Sequence, residues 1–97
     1  MTDAEQDLEA TSLVELQAAL LEAARASSAR RAADTVYGGR DTLLRQTAMA
    51  LLAGGELGEH ASPPEATLQV LSGRVRLSGA GRSWEVAAGE LLPMALA

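Results

Sequence analysis

Cysteine is absent and histidine occurs once, at His60. A disulfide framework and thiol chemistry are therefore excluded, and a metal site could draw on only one imidazole per copy. Aromatic residues are nearly missing as well: there is no Phe, and Tyr37 and Trp84 stand alone. A core of Ala, Leu and Val has few large anchors, so losing one Leu or the Trp removes an unusually large share of the packing. Lysine is missing too, all eight basic residues being Arg. With so much Ala and Gly alongside, this is the mark of GC-rich coding rather than of an anion site. No run is apolar enough for a secretory signal or a membrane span, so the expectation is a cytoplasmic protein with no membrane partner. A net charge of −5 and a pI near 4.7 set the chain against phosphate, and no nucleic-acid partner is expected.

What is there is a chain of 97 residues, 47% hydrophobic, the size of one small domain. At this length folding buries only about two thirds of the unfolded surface, so stability is modest. The first ten residues are acidic at Asp3, Glu5, Asp7 and Glu9 and read as a frayed end. Ser12-Leu13-Val14-Glu15 then fits the S-x-x-E capping box, a side-chain oxygen at a helix start with a carboxylate three residues on. Leu13, Leu16, Leu20, Ala24 and Ser27 follow on one stripe, with Glu15, Glu22 and Arg25 off it. This predicts an amphipathic helix of about four turns ending near Ser28. Its small residues imply close packing on a sheet or on another helix.

Residues 30–37 read as extended, and Gly38-Gly39 as a turn. Residues 42–53 have helix propensity and no clean alternation, but the punctuation that follows places them as a strand. Gly54-Gly55, Gly58, Pro63-Pro64, Gly73, Gly79, Gly81 and Gly89 divide the rest into short runs. Ala66, Leu68 and Val70 alternate with Glu65, Thr67 and Gln69. Val75 and Leu77 alternate with Arg74 and Arg76, and Trp84 and Val86 with Ser83 and Glu85. Period-two patterning in successive short runs signals antiparallel strands. The expected chain is mainly β with an N-terminal α-helix.

The segment Gly54-Gly55-Glu56-Leu57-Gly58-Glu59-His60-Ala61-Ser62, continued through Ala66 to Gly73, resembles the first conserved motif of the cupin superfamily, G-x5-H-x-H-x3–4-E-x6-G. The strands around it, Leu-Gln-Val-Leu-Ser-Gly-Arg-Val-Arg-Leu and Trp-Glu-Val-Ala-Ala-Gly-Glu-Leu-Leu, are similar to those of small single-domain bacterial cupins. The likeness covers about residues 42–92. It implies a cupin-like antiparallel β-barrel of jelly-roll type, a double-stranded β-helix that can hold a divalent metal. It also implies two regions: residues 1–40, a helix with a connecting extended segment, and residues 41–97, the cupin-like β domain.

In metal-binding cupins the first motif supplies two histidines and a glutamate, and a second motif another histidine. Ligands two apart on a strand share a face and can grip one ion. Here only His60 matches. The second histidine position falls on Ser62 and the glutamate position on Ala66, while Glu65 is one residue away and so on the opposite face. The second motif is expected beyond Gly89 and does not occur before Ala97, so the barrel is read as incomplete, truncated at its C-terminal end. No cofactor is expected, His60 being a single residual ligand position.

An incomplete barrel leaves a free edge that a second copy can cover, so a homodimer is expected ahead of its rivals, a poorly folded truncated product and docking of the N-terminal helix over the gap. The chain then reads as a non-catalytic module binding a small organic ligand or a partner. The alternative is a metal-dependent isomerase or dioxygenase whose site is completed across the dimer by two copies of His60. A third reading, by family association, is a sensor module of a transcription regulator. Glu56, Glu59, Glu65 and Glu90 read as a solvated acidic rim. Arg45, Arg74 and Arg76 read as surface residues, Arg25, Arg30 and Arg31 as cations complementing the helix dipole, and Trp84 as core.

Overall fold

A computed structural model describes residues 8–58, 65–79 and 81–94. The chain divides into two compact units, Met1–Gly58 and Glu59–Ala97. The boundary expected after residue 40 falls inside a loop of the first unit, between two paired strands.

In the first unit, helix α1 spans Leu13–Ala26 and is followed by strands β1 (Arg31–Tyr37) and β2 (Gln46–Leu51). The helix starts where the capping box predicts: the Glu15 backbone N–H donates to Ser12 Oγ at 3.2 Å, which satisfies one of the donors every helix leaves open. It stops at Ser27, whose N–H turns back to the Ala24 carbonyl at 3.2 Å. Arg30 takes a left-handed backbone (φ 60°) to turn the chain into β1. Its N–H donates to the Ser27 carbonyl, and its guanidinium donates to the Ala53 carbonyl at 2.9 Å. Those two bonds hold a conformation that a non-glycine residue otherwise avoids.

β1 and β2 pair antiparallel, with Arg31 opposite Leu51, Ala33 opposite Met49 and Thr35 opposite Thr47. The register shifts between Thr35 and Tyr37. Residues 46–51 thus form a strand despite their helix propensity, while residues 42–45 belong to the connecting loop. Pairing decides this: in register with β1, Ala48 and Ala50 share the face that meets α1. Leu20, Ala24 and Ala50 are the buried centre, with Leu16, Leu21, Ala32, Ala48 and Leu52 packed around them. The alanines let the helix approach the sheet closely. Leu13, at the end of the predicted stripe, stays 46% exposed.

The β1–β2 loop is ordered around Thr42. Its hydroxyl accepts from the Gly39 N–H at 2.8 Å and bridges to the carbonyls of Leu44 (2.8 Å) and Gly39 (3.1 Å), while Arg45 Nε donates to Gly39 O at 3.0 Å. Gly38 lies at φ 92°, and a side chain there would run into Leu44 O and Thr42 Oγ1. The tip so built holds Leu43 fully in solvent.

The second unit contains β3 (Thr67–Gln69), β4 (Arg74–Gly79), β5 (Arg82–Ala87) and β6 (Leu91–Pro93). β3 pairs with β6 and β4 with β5, both antiparallel. Backbone bonds from Val70 N to Glu90 O, Gly89 N to Val70 O and Ala88 N to Gly73 O join the two pairs end to end. They form one long ladder, bent where Gly73 and Gly89 adopt φ 78° and 85°. The expected alternation holds along it. Val75 faces Val86 and Leu77 faces Trp84, while Arg76 faces Glu85 on the other side. Val70 and Val86 are its buried residues. Among the described residues the strands make three two-stranded sheets and no closed barrel, so the fold is mainly β with one N-terminal helix.

Candidate functional site

His60 and Ser62, the first two positions of the recognised motif, lie outside the described residues, as does Glu59. Ala66, where the motif's glutamate position falls, is half-buried, and the neighbouring Glu65 is exposed at the approach to β3. The Ala66 carbonyl accepts from the Met94 N–H at 2.7 Å, which extends the β3–β6 ladder by one step. Among the described residues no group of three or more His, Cys, Asp or Glu side chains is placed to hold a metal.

The arginines and acids mostly serve the backbone. Arg25 sits in the last turn of α1, where a cation complements the dipole. Arg30 and Arg31 lie past the helix and do something else. Arg30 donates to the Ala53 carbonyl, and Arg31 Nη1 donates to the Glu56 carbonyl at 2.9 Å, tying the segment after β2 back to β1. Glu90 closes the turn after β5 by accepting from the Ala87 N–H at 2.8 Å. Arg74 and Arg76 flank Glu85 at 3.6 and 3.2 Å on the exposed face of the hairpin. Trp84 is half-buried, and the Arg82 guanidinium stands 5.1 Å from its ring centre, a cation–π contact.

A concave surface of the first unit lies on the β1–β2 face turned away from α1. Strand alternation puts Arg31, Ala33 and Thr35 there with Leu51, Met49 and Thr47. Leu57, drawn over this face by the Arg31–Glu56 bond, completes a shallow depression of about 190 Å³ lined also by Ala32. Met49 and Leu57 are 48% and 42% exposed. The lining is mostly apolar, with Arg31 at its edge, whose Nη1 is engaged by the Glu56 carbonyl. Sequence reading missed this site because its members come from three separate segments. The one available signal was the run of residues 46–53, which has no charge, proline or glycine.

Comparison with known protein families, curated proteins and solved structures finds no match. Among the described residues no helix is long and apolar enough to cross a membrane.

Proposed function

We propose that this chain is a non-catalytic, cupin-like binding module that acts as a homodimer and offers an apolar surface to a small organic ligand or a partner. One observation carries the reading. Among the described residues only Leu20, Ala24, Ala50, Val70 and Val86 are buried hydrophobics, whereas Leu43, Val14, Leu8, Leu44, Leu91 and Tyr37 are each more than half exposed. Each unit thus leaves large apolar side chains in solvent, the kind of surface that a ligand or a second copy covers. The cupin likeness is supported by the glycine-bent ladder of the second unit, since a jelly roll is built by folding long antiparallel hairpins. The depression beside Arg31 supplies a place for a ligand with an apolar body and an anionic end.

The probe for that place is anilinonaphthalene sulfonate, which has both features. Saturable binding by the folded protein, lost in Leu57→Asp with an unchanged circular dichroism spectrum, is the expected result. Binding that survives the substitution removes the depression from the proposal. Titration calorimetry with Zn²⁺, Ni²⁺, Mn²⁺ and Fe²⁺ is expected to give no site tighter than about 10 µM. A one-to-one nanomolar site would overturn the non-catalytic reading.

A further inference from the structure

We infer that the outer edge of β2 is the surface through which two copies join, antiparallel and centred on Met49, into a four-stranded sheet. This rests on the homodimer proposed above and names its interface.

The hydrogen-bond phase of the β1–β2 pair identifies the groups on that edge. Leu52 N donates to Arg30 O at 3.0 Å, so residues 30 and 52 are a hydrogen-bonded pair. Alternation then makes Ala32–Ala50 and Asp34–Ala48 bonded pairs, and leaves Arg31–Leu51, Ala33–Met49 and Thr35–Thr47 with their N–H and C=O groups turned outward. On β2 the outward residues are Thr47, Met49 and Leu51, and among the described residues no strand pairs with that edge. The set is symmetric about its middle member. A two-fold axis at Met49 places Thr47 of one copy against Leu51 of the other and Met49 against Met49, and every outward donor meets an outward acceptor.

Charge points to the same occupant. β2 carries no ionisable side chain, so the two-fold axis brings no like charges together, which is the usual obstacle to pairing a strand with itself. The β1 edge is not equivalent. Its Thr35 N–H is already taken by Asp34 Oδ1 at 3.0 Å, and its register breaks between Thr35 and Tyr37. Side-chain inventory agrees as well: the two Met49 side chains lie beside each other on the face away from α1, and the helix-side positions Ala48 and Ala50 are small enough to do the same across the axis.

Because the chain has no cysteine, Met49→Cys introduces a unique thiol. Facing residues of a hydrogen-bonded antiparallel pair have Cα atoms about 5.5 Å apart, within disulfide reach. Mild oxidation with glutathione disulfide is expected to convert Met49→Cys largely to covalent dimer, at least tenfold faster than Ala33→Cys on the β1 edge. Thr47→Pro removes an outward N–H without touching the β1–β2 ladder, and is expected to sediment as a folded monomer where the parent sediments as a dimer. A parent chain that is monomeric at about 100 µM ends both this inference and the homodimer. A dimeric parent in which Ala33→Cys crosslinks as fast as Met49→Cys, or in which folded Thr47→Pro stays dimeric, ends this interface alone.

Discussion

The two units solve the same problem with different means. In Met1–Gly58 a two-stranded sheet is backed by a helix, and the centre holds Leu20, Ala24 and Ala50. In Glu59–Ala97 the described chain is a bent ladder without a helix, and its buried residues are two valines. A hairpin alone is marginal in water, and a second layer is what gives it lasting order. The first unit carries its own second layer in α1. In the described residues of the second unit, order comes from ladder bonds and cross-strand pairs. The difference teaches where a large core residue matters and where it does not.

Leu20→Ala should break the comparison most severely. It opens a hole beneath the only helix described and is expected to cost about 3 kcal/mol, read as a lower urea midpoint with loss of helical circular dichroism. Val86→Ala in the second unit removes less volume and should cost about 2 kcal/mol. If it proves the more damaging of the two, the ladder rather than the helix layer is the principal core. Ser12→Ala sharpens the account of the first unit by removing the hydroxyl that caps α1, with an expected loss of about 1 kcal/mol in the same titration. The smallest effect belongs to Glu85→Gln. Its partners Arg74 and Arg76 are 68% and 69% exposed, so the change should be about 0.5 kcal/mol or less and should shrink further in high salt.

The sequence made some of this legible. Ser12, Glu15 and the Leu16–Leu20–Ala24 stripe locate the helix because capping and amphipathicity are local signals. The alternation from Ala66 to Val86 marks strands for the same reason. The ends of β2 were not legible, since a run of Gln, Thr, Met, Ala and Leu has no period of its own until β1 fixes its register. Nor was the work of Arg30 and Arg31, which depends on carbonyls at residues 53 and 56 that only the fold brings near. Of the motif that suggested a cupin, His60 and Ser62 fall outside the described residues. The depression at Met49, Leu51 and Leu57 is a product of tertiary structure alone.

The bend in the second unit has a consequence for how its length is constrained. Facing residues sum to 160 along β3–β6, as in Thr67 with Pro93, and to 161 along β4–β5, as in Arg74 with Ala87. The strand running through Leu71, Ser72 and Gly73 is therefore one residue longer across the corner than the strand opposite. Leu71 and Ser72 are exposed and their identities can drift. Deleting either would bring the two halves into one count, with Arg74 still facing Ala87 and Val75 still on the side of Leu68 and Val70, so what would be lost is the extra residue that makes the corner. The corner is thus indifferent to spelling but strict about the number of letters.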